Sequence, residues 1–254
     1  MKVFITGASS GIGAALARHY SAQGAQLGLV GRDAVRLRAV AEDLVTDCAA
    51  YVADVRDAHA MQQAVADFLA KFGAPDIVIA NAGVSRGTLC DHAEDIPAFQ
   101  AIMDINVMGL VHTFQPFIAA MKGRGGTLVG IASIAGLRGL PGASAYSASK
   151  AAAISYLESL RVELVPLGIR VTTLCPGYIR TPMTEVNTYP MPFLMDAGTA
   201  ARMMARAIAR RRRYVILPWQ MALVGRLMKL LPAPLWEWVM KNAPHKPRLD
   251  WDWL

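Results

Sequence analysis

Thr6-Gly-Ala-Ser-Ser-Gly-Ile-Gly13 is the stretch that decides the fold of this chain. It joins an apolar run, Met1 to Thr6, to a helical stretch that begins near Ala14. A strand, a glycine-rich turn and a helix in this order aim backbone N–H groups at a phosphate. Glycines are needed because a side chain would hold the backbone away from the ligand. The spacing, Gly-x-x-x-Gly-x-Gly, differs from the standard dinucleotide pattern, but its place between strand and helix predicts a phosphate-binding turn.

Short apolar runs of this kind recur and alternate with helical stretches along 254 residues. This alternation predicts an α/β fold with a doubly wound (Rossmann-type) parallel sheet. Hydrophobic residues make up 54% of the chain and charged residues 18%, which argues against disorder. We expect one domain over 1–217 and a small helical extension of it over 218–254. The runs are Gln26 to Val30, Ala49 to Ala53, Asp76 to Ala80, Thr127 to Ala132, Ile169 to Cys175 and Tyr214 to Leu217.

Composition excludes several other classes of protein. The three cysteines are scattered, which is typical of reduced thiols, and the five histidines show no ligand spacing, so no metal site is predicted. Met1-Lys2 leads straight into a strand without a signal-peptide pattern, so a cytoplasmic location is expected. The formal net charge is +7, but no nucleic-acid-binding motif accompanies it.

Charged and small residues follow the next strands. Arg32 comes just after the second strand, where an arginine suits the 2′-phosphate of NADP and a carboxylate would suit NAD. Asp33 is expected to cap the following helix. Asp54 could accept the adenine amino group or be a simple turn residue, and Arg32 could be a solvated loop charge. Asn81-Ala-Gly83 follows the fourth strand, at the edge of the sheet where ligands bind.

Tyr146 and Lys150 are four residues apart and share one face of a predicted helix. An ammonium close to a phenol lowers the pKa of the phenol, which then exchanges protons more readily near neutral pH. The same spacing is common on helix surfaces, so the pair alone is weak evidence. Its meaning depends on the nucleotide-binding pattern that precedes it.

Taken together, these motifs resemble the short-chain dehydrogenase/reductase family over about Lys2 to Leu217. The landmarks appear in the family's order and approximate spacing: Thr6 to Gly13, Asn81-Ala-Gly83, Asn106-Val107, Ser133, Tyr146-x-x-x-Lys150 and Pro176-Gly177. The resemblance implies an NAD(P)(H)-dependent oxidoreductase with a seven-stranded sheet. Arg32 is similar to the arginine of NADP-preferring members.

The resemblance also implies a role for each catalytic residue. Tyr146 would give its proton to a carbonyl oxygen, Lys150 would lower the Tyr146 pKa and hold the nicotinamide ribose, and Ser133 would polarise the carbonyl. The side chain of Asn106 would hold a proton-relay water, with a helix-surface amide as the alternative. Ile179 and Thr181 would contact the nicotinamide carboxamide. The expected cofactor-binding set is Gly7, Ser9, Ser10, Gly11, Ile12, Gly13, Arg32, Asp54, Val55, Asn81, Ala82, Gly83, Tyr146, Lys150, Pro176, Gly177, Ile179 and Thr181.

The substrate side is expected to be closed by a lid over Met183 to Met204. Its apolar residues suggest an apolar ketone or aldehyde, although they would equally serve to pack the lid on the body. Residues 218–254 look like two short amphipathic helices, near the basic run Arg210 to Arg213. Packing on the domain or on a partner subunit is favoured for this extension over a weak contact with an anionic membrane.

Relatives commonly dimerise, and a homodimer is expected here. Four side chains of the helix that carries Tyr146 could line the contact, unless they are buried in the monomer: Ile154, Leu157, Leu160 and Leu164. The extension is expected to obstruct the edge of the last strand and so prevent a tetramer. An NADP(H)-dependent carbonyl reductase is the favoured function, with a non-catalytic NADP-binding sensor or a membrane-surface reductase of lipid ketones as alternatives.

Overall fold

A computed structural model describes residues 1–248 of the chain. Seven parallel strands form one sheet in the order β3-β2-β1-β4-β5-β6-β9, which confirms the predicted fold class. These strands are β1 (Lys2–Thr6), β2 (Gln26–Gly31), β3 (Cys48–Val52), β4 (Ile77–Ala80), β5 (Gly126–Ile131), β6 (Ile169–Pro176) and β9 (Tyr214–Leu217). The two-residue strands β7 (Ile179–Arg180) and β8 (Met195–Asp196) pair separately. The order reverses beside β1, and ligands of such sheets bind at the carboxyl ends of the strands around this point.

Helices cover both faces of the sheet, and aspartates fix the start of several. Asp33 caps one helix by accepting the Arg36 N–H, as predicted, and Asp57 and Asp196 cap two others. The helices are α1 (Gly11–Ser21), α2 (Ala34–Glu42), α3 (Ala58–Phe72), α4 (Ile96–Met103), α5 (Gly109–Phe114), α6 (Ile118–Met121), α7 (Ser144–Glu163), α8 (Pro182–Glu185), α9 (Ala197–Ala209), α10 (Trp219–Leu230) and α11 (Ala233–Met240). One turn of π-helix, Asp104–Met108, joins α4 to α5.

A separate apolar core fills each face of the sheet. On one face, Leu16 of α1 and Met204 of α9 are fully buried with the inward side chains of the central strands. On the other face, the rings of Phe4, Phe68 and Phe117 pack edge to face with centroids 4.9–5.8 Å apart. Aromatic pairs at this separation add to the stabilisation from burial alone. The two cores fix the sheet as a rigid floor for the loops at its carboxyl edge.

The structure corrects one sequence expectation and decides another that was left open. The lid does not reach Met204, because α9 begins at Ala197 and its apolar side packs against α1 in the core. Leu157, Leu160 and Leu164 of α7 do not line a subunit contact, because they are buried inside the monomer against β5 and its neighbours. In both cases the apolar side of a helix faces its own sheet.

Beyond β9, helix α10 packs with one side on the domain. Met221 lies against Gly177, and Gly225 lies against Leu137. The guanidinium of Arg138 donates to the Met228 carbonyl oxygen at 2.6 Å and also to that of Leu231, satisfying carbonyls at the end of the helix. The opposite sides of α10 and α11 carry exposed apolar residues. No helix within residues 1–248 is both long and apolar enough to cross a bilayer.

Candidate active site

The glycine-rich turn after β1 is shaped so that only glycine fits at two points. Gly7 has a φ of 66°, in the left-handed region, and a β-carbon there would lie 2.7 Å from the Cα of Ala82. A β-carbon on Gly13 would lie 2.1 Å from the Gly7 carbonyl oxygen. Asn81 fixes the turn from β4, because its side-chain amide donates to the carbonyl oxygens of Thr6 and Gly7, each at 3.1 Å.

Helix α1 begins directly behind this turn and presents an anion-binding end. Its N-cap residue, Ser10, makes no side-chain capping bond, and its first turn holds no acidic residue. The first backbone N–H groups of a helix have no partner inside the helix and carry the positive end of its dipole. Ser9, Ser10 and Gly11 line a cavity of about 650 Å³. The tight glycine turn and the uncapped helix end fit the pyrophosphate of a dinucleotide.

The cavity runs from β2 to α8 and gathers most of the predicted site. It is lined by all the predicted cofactor-binding residues except Gly13, and by Ser133, Tyr146 and Lys150. Gly13 lies behind the turn, against the Gly7 carbonyl oxygen. Because it has no side chain, the backbone of the turn can pack closely against helix α1. Asn106 is buried beneath the cavity. Among residues 1–248, no group of three or more His, Cys, Asp or Glu side chains could hold a metal ion.

Arginines cluster at the β2 end of the cavity. Arg32 donates to the Asp54 carboxylate at 3.4 Å, and Arg56 donates to the same carboxylate at 2.9 Å. Burial alone would raise the pKa of Asp54, but the hydrogen bonds from Arg56 hold it below the ordinary value. Arg36 also lines the cavity and was missed by the sequence reasoning. It lies in the first turn of α2, where its guanidinium bonds the Asp33 carboxylate at 2.6 Å.

Ser133 and Tyr146 meet at the other end of the cavity. Ser133 ends the segment after β5 and is buried, while Tyr146 in the first turn of α7 is partly exposed to the cavity. Burial raises the pKa of the Tyr146 phenol, and a hydrogen bond with the Ser133 side chain opposes this effect. The predicted lowering of the Tyr146 pKa by Lys150 is therefore not seen.

Lys150 explains this difference. Its ammonium donates to the Ile131 carbonyl oxygen at 2.9 Å and lies 5.7 Å from the centre of the Tyr146 ring. Burial lowers the pKa of Lys150 to about 8. The lysine thus bonds the backbone of β5 instead of the phenol, and its own charge is costly in this position.

Asn106 lies in the π-helical turn, and its side-chain amide bonds protein groups. Its nitrogen donates to the Val84 carbonyl oxygen and to the Ser149 hydroxyl, both at 2.9 Å. Its oxygen accepts the Val84 N–H at 2.8 Å. Because both amide hydrogens are engaged, only one acceptor position of the oxygen remains for a water. The amide instead ties the loop after β4 to the helix that carries Tyr146.

Comparisons with known proteins agree with this arrangement. A family model described as short chain dehydrogenase matches residues 1–190. An uncharacterized oxidoreductase of Myxococcus xanthus is 39% identical over 242 residues, which cover 92% of this chain and 93% of the relative. The 11-beta-hydroxysteroid dehydrogenase 1A of Arabidopsis thaliana is 33% identical over a gapped alignment of 258 positions, which covers 93% of this chain and 73% of the relative.

A solved structure shares the architecture. It is the 3-ketoacyl-(acyl-carrier-protein) reductase from Brucella melitensis complexed with NADH, with a TM-score of 0.79 and 27% identity. The alignment covers 85% of this chain and 96% of that one.

Proposed function

Because the chain belongs to the short-chain dehydrogenase family, we propose that it is an NADP(H)-dependent oxidoreductase that reduces a ketone or aldehyde, or oxidises the corresponding alcohol. The observation that carries this proposal is the joining of Ser133 and Tyr146 in one cavity with the phosphate-binding turn. A hydroxyl pair at this place gives a carbonyl oxygen both a hydrogen-bond donor and an acid. A non-catalytic sensor, the alternative, has no need of such a pair.

The protein's part in the reaction follows from the state of each side chain. The nicotinamide nucleotide supplies the hydride when it is bound. Tyr146 keeps its proton at neutral pH, because burial raises its pKa, and gives that proton to the carbonyl oxygen. Ser133 donates a hydrogen bond to the same oxygen. The Lys150 ammonium, charged below a pKa of about 8, lies 5.7 Å from the centre of the Tyr146 ring and is assigned to hold the nicotinamide ribose.

Asn106 acts as a positioning residue in this proposal. Its amide holds Val84, which lines the cavity, and Ser149, one residue before Lys150. The family resemblance in the sequence implied that the Asn106 side chain holds a proton-relay water. The three protein contacts support positioning instead.

Thr181 and Ile179 are proposed to hold the carboxamide end of the cofactor. Both line the cavity beyond β6. The Thr181 N–H donates to the Thr184 hydroxyl at 3.1 Å, so the start of α8 is fixed beside this end of the cavity.

The preference for NADP rests on the arginine cluster. Arg32 and Arg36 flank the end of the cavity where the adenosine ribose of a dinucleotide lies in folds of this class. The carboxylate of Asp33 also lines this end of the cavity, and each of its two oxygens already accepts one hydrogen bond from Arg36. The sequence suggested that Asp54 could accept the adenine amino group. Its carboxylate accepts hydrogen bonds from Arg56 and Arg32, and we assign it the role of holding these two guanidinium groups in place.

Replacement of Arg32 with Gln is expected to raise KM for NADPH by about 10- to 100-fold, the loss typical of one charge-assisted phosphate contact. KM for NADH should change little, because NADH lacks the 2′-phosphate. Steady-state kinetics with both nucleotides measure the effect. Arg38→Gln is the matched control, because Arg38 is an exposed arginine of the following helix, α2, and does not line this cavity. Equal losses for NADPH and NADH would contradict the proposal.

An apolar substrate is proposed on the lining near Tyr146. Val84 and Met183 reach the cavity on this side, and methionine adapts to irregular apolar shapes. The segment after α8 carries two further apolar residues outside the lining, Met191 and Leu194, both half-buried. These residues support a carbonyl that is attached to a hydrocarbon chain.

A homodimer is proposed through the outward sides of α4 and α7. The exposed apolar side chains there are Ile96, Phe99 and Met108 near α4, and Val162 of α7. These exposed side chains, and not the buried leucines of α7, form the proposed subunit contact. The mass of the protein in solution tests the homodimer. A stable monomer or tetramer would contradict it.

Peripheral membrane contact is proposed as a second property, because α10 and α11 leave an apolar surface exposed. On α10, Leu223, Leu227 and Leu230 recur at helical spacing and are each more than half exposed. On α11, Trp238 is 74% exposed. Exposed basic residues border this surface, namely Arg226, Lys229 and Lys241. Apolar residues with tryptophan and a basic border match the interface of an anionic bilayer.

Vesicle flotation tests this contact. The protein is expected to float with vesicles of anionic lipid at low salt and to remain at the bottom with neutral lipid or at high salt, because screening removes the attraction. Trp238→Glu should abolish flotation. Val35→Glu, which introduces the same charge at an exposed apolar residue of α2, should leave it unchanged. Flotation that survives Trp238→Glu would exclude this surface.

A further inference from the structure

The chain after α11 turns back across the body of the domain as an extended segment, Pro244–Arg248, here called the C-terminal strap. The Gly87 N–H donates to the Pro247 carbonyl oxygen at 3.1 Å. A β-carbon on Gly87 would lie 2.2 Å from the Lys246 carbonyl oxygen, and one on Gly142 would lie 2.6 Å from the Cβ of His245. Two glycines thus make room for the strap, which occupies a groove shaped to receive it.

Arg248 anchors the end of the described strap to a buried carboxylate. Asp95 is only 3% exposed, and its oxygens accept from the Arg248 guanidinium at 2.9–3.2 Å. The Leu89 N–H donates to the same carboxylate at 2.8 Å. Burial alone would raise the pKa of Asp95, but the bonds from Arg248 and Leu89 hold it below the ordinary value. A buried carboxylate needs a paired cation, so the strap and Asp95 depend on each other.

The strap touches three segments that surround the substrate end of the cavity. Gly87 directly follows Ser85 and Arg86, which line the cavity. Gly142 precedes Tyr146 by four residues in the chain. The Lys246 ammonium donates to the carbonyl oxygen of Met183, another lining residue, at 3.3 Å. These contacts bring the strap to the outside of the site, beyond the side chains that the proposed chemistry uses.

We propose that the C-terminal strap is the outer wall of the substrate site and limits the length of substrate that fits, with Arg248 and Asp95 as the pair that holds it closed. This inference rests on the proposed carbonyl reduction. It assigns a specificity role to residues that touch neither the cofactor nor the reacting carbonyl. The strap acts by position: when it is released, the cavity opens towards solvent between Gly87 and Met183.

The test uses Arg248→Met, which keeps the length of the side chain and removes its charge. Hydrogen exchange at the Gly87 amide reports whether the strap is seated, and it needs no substrate. Release of the pair should speed this exchange by about 100-fold. In a series of methyl ketones of increasing chain length, kcat/KM for long over short members should rise by about tenfold, a change of the size that pocket shape controls. The kcat for the shortest ketone should be unchanged.

Two further variants guard against a simple folding defect. Asp95→Asn removes the charge of the other partner and should give the same faster Gly87 exchange and the same shift towards long ketones as Arg248→Met. Arg248→Lys keeps the positive charge, so both effects should be smaller than in Arg248→Met. Glu94→Gln is the matched control, because Glu94 is exposed and contacts Arg248 through one bond of 3.1 Å. It should behave as the wild type.

Each outcome decides a separate point. Unchanged Gly87 exchange in Arg248→Met would overturn the role of the pair, and faster exchange with an unchanged ketone profile would overturn the role of the strap as a wall. If the wild type reduces no ketone with either nucleotide, the proposed function fails. The exchange experiment would then still report on the pair.

Discussion

Replacement of Tyr146 with Phe is expected to lower kcat/KM for carbonyl reduction by about 10²- to 10⁴-fold, the usual contribution of a positioned general acid. The change removes one hydroxyl from a side chain that is partly exposed to the cavity, so the fold should be preserved. Binding of NADPH, measured by fluorescence, should stay close to the wild-type value. This combination of lost turnover and retained binding separates an acid from a residue that merely shapes the site.

The matched control is Tyr156→Phe, the same change on the same helix. Tyr156 is half-buried and does not line the cavity, so turnover should be unchanged. In the wild type, reduction should also weaken as pH rises through about 8, because Lys150 then loses its proton while Tyr146, with a raised pKa, keeps its own. Near-normal turnover in Tyr146→Phe would refute the proposed role of Tyr146 as the acid.

Replacement of Gly13 with Ala is expected to lower the affinity for NADPH and NADH together, by at least about 100-fold, because displaced backbone donors lose charge-assisted bonds to phosphate. The new methyl group would lie 2.1 Å from the Gly7 carbonyl oxygen and 2.6 Å from the Asn81 amide nitrogen. Helix α1 cannot move away, because Leu16 and Tyr20 anchor it in the core. The turn must therefore move, and it is the turn that we propose receives the pyrophosphate.

Stability should fall in the same variant. An alanine inside a helix gains about 1 kcal/mol over glycine in propensity, whereas overpacking costs about 1–3 kcal/mol. The severe overlap at Gly13 decides the sign, and the free energy of unfolding in urea should fall. Gly139→Ala is the control, since a β-carbon there meets nothing within 4 Å. Wild-type nucleotide affinity in Gly13→Ala would mean that the turn relaxes without displacing its N–H donors. It would contradict the proposed role of this turn in phosphate binding.

The sequence predicted the sheet well because buried parallel strands are continuous apolar runs. Tyr214 to Leu217 was located without error, and the other strands of the seven-stranded sheet differ from their predicted bounds by one residue at one or both ends. The glycine-rich turn was equally easy to recognise in the sequence, because only glycine fits its backbone conformation and close contacts. Arg32 was singled out by its place just after the second strand, and Tyr146 by its four-residue spacing from Lys150. These are local signals.

What the sequence could not give depends on three-dimensional surroundings. Arg36 reaches the cavity only because the first turn of α2 folds back beside β2. The direction of the shift in the Tyr146 pKa depends on burial, which sequence spacing does not reveal. It also depends on the hydrogen bond from Lys150 to the β5 backbone, which replaces a bond to the phenol. The pairing of Asp95 with Arg248 joins residues 153 apart in the chain, and no local pattern announces it.

The central place of β1 has a consequence for biosynthesis. β1 pairs with β2 on one side and with β4 on the other, and the turn that follows it is fixed by Asn81. A nascent chain emerges with its N-terminal part first. The phosphate-binding turn, although it is made among the first residues, therefore stays incomplete until Asn81 has left the ribosome, and Tyr146 follows later still. A ribosome-bound chain halted before Asn81 is translated lacks the side chain that fixes the turn proposed to bind the nucleotide.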